Sequence, residues 1–182
     1  MTLATSTAQF NLAESIALLE RTPHVLETLL SGLPDRWTQH NEGPDTWSPY
    51  DVIGHLIHGE RTDWMARLDI ILSTGPNKTF ATFDRFAQFR ESEGKSLADL
   101  LAEFSSVRAS NLARLRALNL SEADLDRTGL HPKFGSVTAR QLLATWTVHD
   151  LDHLMQISRV MARQIGPEVG PWVEYLKILR SA

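Results

Sequence analysis

The 182-residue chain contains no cysteine. That one absence removes disulfides, thiolate zinc sites and a thiol nucleophile together, and it agrees with a reducing cytoplasm. Positive charge is also thin. Lys and Arg number 18 against 22 Asp and Glu, a formal net charge of −4, and the basic residues form no run. Nucleic acid and acidic membrane surfaces call for concentrated basic charge, so neither is expected as a partner. Apolar stretches end well short of the ~20 residues that span a bilayer. The opening MTLATSTAQFNLAES lacks the charged-then-apolar pattern of a secretory leader. The expectation is one cytoplasmic domain over residues 1–182, whose 42% apolar content is enough to bury a core.

Several catalytic signatures are missing as well. There is no Glu-x-x-His, so the di-iron bundle pattern is absent. His149-Asp150-Leu151-Asp152-His153 is not His-Glu-x-x-His, because aspartate occupies the glutamate position. Neither a Gly-rich phosphate loop, a Gly-x-Ser-x-Gly elbow nor a dinucleotide fingerprint occurs.

What the chain does have is helical periodicity nearly throughout, without convincing strand alternation. A first helix is expected over residues 8–31, adjusted at Thr22-Pro23 and stopped by Ser31-Gly32-Leu33-Pro34; a polar loop follows. Ser48, Pro49 and Asp51 read as cap, first turn and third position of a second helix running to Leu72. Residues 77–95 are mixed, with a short helix around FDRFAQFRE. A third helix spans Ser96 to Leu118. The connection LNLSEADLDRTGLHPKFGSV, with a turn of helix after Ser121, leads to a fourth helix opened by Thr138 and Gln141 and ending near Gln164. Gly166-Pro167 breaks it, and PWVEYLKILR forms a short last helix. The fold class is all-α: a four-helix bundle with a short additional C-terminal helix.

His149 and His153 lie one turn apart, on one helix face. They interrupt an apolar seam, Leu142, Trp146, His149, His153, Gln156 and Val160, whose spacing turns it toward the bundle interior. Two buried imidazoles and an amide need satisfying, and a metal ion with ordered water would do so. The spacing alone fits satisfied core histidines equally well. His55, on the second helix, is the third ligand by position, with His58 as the alternative on nearly the same face. Gly59 in mid-helix suggests close packing or space for a ligand. Asp51 caps its helix in the plainer reading and orients His55 in the other. Glu60, Asp150 and Asp152 are the carboxylates from which a general base could come; the plainer reading makes Glu60 solvated or salt-bridged and puts both aspartates at the polar edge of the seam. His24, His40 and His131 have no partner at ligand spacing and receive no role.

Trp47-Ser48 opening a helix, Gly54-His55-Leu56-Ile57 within it, the run His131-Pro132-Lys133-Phe134-Gly135-Ser136-Val137-Thr138, and His149-x-x-x-His153-x-x-Gln156-Ile157-x-Arg159 together resemble the DinB/YfiT-like superfamily over residues 8–165. The resemblance implies an up-down-down-up, DinB-like four-helix bundle, commonly homodimeric. It further implies one divalent ion, whether nickel, zinc, iron or manganese, on His55, His149 and His153. Members of that superfamily include transferases of low-molecular-weight thiols, metal-dependent hydrolases and proteins of unassigned activity.

Three functions follow as expectations for a small-molecule substrate. The first is a metal-dependent thiol S-transferase acting on small electrophiles. Its thiol must be a cosubstrate, because the chain has none. The second is a metal-dependent hydrolase, with Glu60, Asp150 or Asp152 as base. The third is a non-catalytic, stress-related metal- or ligand-binding protein.

Overall fold

A computed structural model describes residues 9–180. Residues 1–8, where the leader reading and the first residue of helix one fall, lie outside the described residues, as do residues 181–182. The first helix divides at Glu20 into α1 (Leu12–Leu19) and α2 (Arg21–Leu30). Pro23 supplies the reason. It has no N–H to give the carbonyl four residues back, that of Leu19. The freed Leu19 oxygen instead accepts the Arg108 guanidinium at 2.8 Å.

A short helix, α3 (Asp35–Thr38), interrupts the expected loop. The second long helix is two segments, α4 (Pro49–Thr62) and α5 (Trp64–Leu72), separated at Asp63, whose backbone (φ −111°, ψ −72°) leaves helical values. Next come α6 (Ala87–Glu91), α7 (Leu97–Ala117) and α8 (Glu122–Leu125). Two short strands that the lack of strand alternation did not lead one to expect are present in this otherwise helical fold. The connection before the last long helix forms an antiparallel hairpin of β1 (Thr128–His131) and β2 (Gly135–Thr138). Strands of four residues are too short to display alternation. Backbone bonds between Phe80 and Leu130 and between Leu130 and Lys78 stitch the preceding long connection to this hairpin. Gly129 permits that approach, since a Cβ there would meet the Phe80 ring at 2.4 Å.

The last long helix, α9 (Ala139–Ile165), passes directly into a 3-10 helix, Gly166–Tyr175, interrupted at Gly170, and then α10 (Lys177–Arg180). Gly166-Pro167 therefore tightens the helix, and the expected last helix is split. No helix among the described residues is long and apolar enough to cross a membrane.

The core falls into two apolar clusters. One joins Ile16 of α1, Leu68 and Ile71 of α5, Leu112 and Leu115 of α7, and the start of α9 at Leu142 and Trp146. The other joins Leu26 and Leu30 of α2, Val52 and Ile53 of α4, Leu100 and Phe104 of α7, and Ile157 late in α9. Helix one and α9 thus run from the first cluster to the second, while helix two and α7 run the opposite way. The order is up-down-down-up, and the topology is a four-helix bundle.

Between the clusters lies a buried charged layer. Arg108, 1% exposed, donates to Asp150 at 2.6 and 2.9 Å, to Glu60 at 2.9 Å and to the Leu19 carbonyl. Each of the four long helices contributes one member. The guanidinium also lies over the rings of Phe104 and Trp146, at 4.8 and 5.4 Å from their centroids.

Candidate metal centre

The capping box of α4 fixes where His55 falls. Ser48 accepts the Asp51 N–H, while the Asp51 carboxylate accepts both the N–H and the hydroxyl of Ser48. Asp51 is thus a helix cap, as the plainer reading held. From α9, His149 and His153 rise toward His55. The His149 Nε2 stands 3.2 Å from the Nε2 of His55 and 3.1 Å from that of His153. Ligand atoms of all three residues lie within 4.8 Å of one another, and among the described residues no carboxylate joins the group.

Several observations test whether a divalent ion fits these residues. Nitrogen ligands ~2.0–2.2 Å from an ion, at tetrahedral or octahedral angles, stand roughly 3.0–3.5 Å apart. Both spacings of the His149 Nε2 fall inside that range. Burial is the main cause pushing His55 down to about 3 and His149 to about 2, and their histidine neighbours add to it. Burial also lowers His153, against the Gln156 bond and nearby aspartates. Neutral rings are the form that ligates metal. The His153 Nδ1 donates to the Gln156 oxygen at 2.8 Å, which leaves its Nε2 lone pair facing the other rings. The buried Nδ1 atoms of His55 and His149 have no such partner. The residues fit a divalent ion.

Aromatic rings surround the three imidazoles. Trp47 lies 4.8 Å from the His55 ring, Phe83 meets the same ring edge-on at 5.5 Å, and Trp64 meets His149 edge-on at 5.0 Å. A Cβ on Gly59 would come within 3.3 Å of the Trp64 Nε1, so this mid-helix glycine makes room for that indole. Beyond the rings opens a cavity of about 1050 Å³, lined in part by all three histidines. That is at the large end of the ~300–1,000 Å³ usual for small-molecule sites.

The other residues singled out in the sequence fall elsewhere. His58 is buried, but its Nδ1 faces the Glu91 carboxylate at 3.1 Å, so it is not with the three histidines. Glu60 is 2% exposed and accepts from Arg108, from the Trp146 Nε1 at 2.9 Å and from the Asn111 amide at 2.9 Å. Burial and the nearby Asp150 lift its carboxyl, opposed by Arg108 and Asn111, and every group hydrogen-bonded to it is a donor, which favours the ionised form. Asp150 is also buried rather than at the seam's edge, because Arg108 draws it inward. Burial opposes the guanidinium charge, yet Asp150 and Glu60 raise its pKa above the ordinary value. Only Asp152 is exposed. The structure therefore brings together His55, His149 and His153 and keeps the three carboxylates out of that group.

Arg108 and Phe83 were not singled out in the sequence, and His131 was given no role there. A lone arginine in the apolar seam Leu101, Phe104, Arg108, Leu112 was the available signal for the first. Phe83 lies in irregular chain and gave none. His131, given no role, lines the cavity. Its Nδ1 accepts the N–H groups of Lys133 and Phe134, which leaves the ring proton on Nε2.

Fold and site together define a four-helix-bundle protein with a three-histidine centre able to hold a divalent metal ion. The chain belongs to the DinB superfamily, whose family profile matches residues 18–157. It is similar in structure to YfiT from Bacillus subtilis, described as a probable metal-dependent hydrolase with an unusual four-helix bundle topology. The TM-score is 0.73 at 18% identity, covering 91% of this chain and 94% of that one. No curated protein sequence matches the chain.

Proposed function

We propose that the protein is a metal-dependent hydrolase of small molecules, with His55, His149 and His153 holding one divalent ion. The observation that carries this reading is the convergence of three neutral imidazoles at the wall of a large cavity. The likeness to YfiT supports it. When bound, such an ion supplies Lewis-acid polarisation of a carbonyl or phosphoryl group and an activated water nucleophile. Gln156 fixes the ring proton of His153, and Trp47, Trp64 and Phe83 limit water around the reacting groups. Glu60 and Asp150 are committed to Arg108 and Asp152 faces solvent, so the base role expected of them is not part of the proposal.

That last observation favours one second reading, metal-dependent transfer of an external low-molecular-weight thiol to an electrophile. A thiol, with pKa ~8.5, needs less help than water to lose its proton. The test loads the purified protein with zinc, nickel, iron or manganese and screens esters, amides and phosphoesters, and separately thiols with electrophiles. Hydrolysis that requires metal, with metal content and turnover both lost in His149→Ala and His55→Ala, is the expected result. Thiol consumption without hydrolysis would replace the first reading with the second. Full metal retention in both variants would sink the assigned centre.

A further inference from the structure

The charged side chains lining the cavity are Glu42, Asp45, Asp63, Arg67, Arg85 and Arg159. Four of them are internally neutralised. Glu42 accepts from Arg159 and Arg163, and Arg67 pairs with Asp63. Among the described residues Asp45 and Arg85 are left without an ion-pair partner, and they differ in where they lie. Asp45 is an exposed residue on the loop before α4. Arg85 lies two residues after Phe83, whose ring touches His55. Its neighbour Asp84 is already engaged by Arg90. Arg85 lines the same cavity as the three histidines, and its charge acts on His55. Arg85 is thus an unneutralised cation close to the centre.

The remaining lining is aromatic to an unusual degree. Trp47, Trp64, Phe80 and Phe83 form the inner wall, and Phe86 and Phe134 stand at the rim, 59% and 68% exposed. Flat apolar ligands are the natural occupants of such a wall, because offset and edge-on ring packing adds to area burial. A guanidinium beside it, with no carboxylate among the described residues to satisfy it, presents a planar fork suited to a carboxylate, sulfonate or phosphate group.

We infer that the cavity is built for a substrate with an aromatic or similarly flat apolar body and one anionic group, and that Arg85 receives the anion. The inference deepens the hydrolase reading by naming its substrate class, but it concerns binding and is tested without turnover. The probes are 1-anilinonaphthalene-8-sulfonate, an aromatic monoanion that fluoresces in apolar sites, and its uncharged relative N-phenyl-1-naphthylamine. Each is titrated into metal-free and zinc-loaded protein and into Arg85→Gln and Arg85→Lys variants. Arg85 is exposed, so its replacement leaves the core intact, and thermal melting checks this.

Loss of one charge-assisted bond at a solvent-exposed position predicts that Arg85→Gln weakens the sulfonate dye about 5- to 20-fold. The uncharged dye changes less than about 2-fold, and Arg85→Lys recovers part of the loss because it keeps the charge without the fork. Unchanged affinity for the sulfonate dye in Arg85→Gln, or equal weakening of both dyes, would overturn the inference. Neither dye is a hydrolytic substrate. A negative dye result therefore leaves the hydrolase reading standing, and an absence of turnover leaves the dye result standing.

Discussion

His55, His149 and His153 stay uncharged in the fold because burial penalises the imidazolium, and His153 adds to the penalty on His55 and His149. Unfolded, the same rings take up protons below about pH 6.5. The unfolded chain then binds more protons than the folded one, so stability is full above about pH 6.5 and declines as the pH falls toward the folded values. His55 and His149 each contribute a slope of about 1.4 kcal/mol per pH unit in that window. Urea melts of metal-free protein at about pH 7.5, 6 and 5 should show a steeper loss in the wild type than in His149→Gln, which removes one titrating ring. Equal slopes would show that His149 is not held neutral. At this scale the histidines were legible because i and i+4 is a local relation and the apolar seam around it is visible in the chain. Arg108 was not. Its partners Glu60 and Asp150 lie 48 and 42 positions away, and nothing local says which buried charges will meet.

Helices announce their own beginnings. Ser48 with Asp51, Ser96 with Asp99, Ser121 with Asp124 and Thr138 with Gln141 all form capping boxes. Each is legible because its chemistry is complete within four residues. The hairpin at Thr128–Thr138 was illegible for the opposite reason, since its short strands gain support from Phe80 and the segment before it. Close approach between elements is likewise hidden in sequence, and Gly54 is the sharpest case. A Cβ there would stand 2.5 Å from the Ser92 hydroxyl just after α6 but 3.6 Å from the Ser92 Cβ. Gly54→Ala alone should therefore push α6 away and cost about 1–3 kcal/mol, despite the helix propensity it gains. Adding Ser92→Ala removes the clash and should recover most of the loss. A double-mutant cycle by denaturant unfolding measures the coupling, and additive effects would refute the close contact.

At the scale of the whole molecule, the proposed ion would join α4 to α9, which are far apart in sequence and neighbours in space. A ligand that binds only the folded protein stabilises it, by about 2.7 kcal/mol at 100 times its Kd. For a chain of this length that corresponds to a rise in Tm of roughly 5–11 °C. Calorimetry with zinc or nickel, then with a chelator, should show the rise and its reversal, and His55→Ala should show neither. An equal rise in His55→Ala would place the ion elsewhere. The four-helix bundle was legible from helix lengths and connections and its up-down-down-up order from the family resemblance, whereas the division of its core was not. That division bears on why the chain adopts one alignment. Apolar ridges can slide past one another by a turn, ~5.4 Å, and still bury similar area. Arg108 cannot slide with them. The same shift would carry the guanidinium away from Glu60, Asp150 and the Leu19 carbonyl together and strand three charges in the dark of the core. The layer acts as an index mark, making every slipped bundle far costlier than the one in which the three histidines meet.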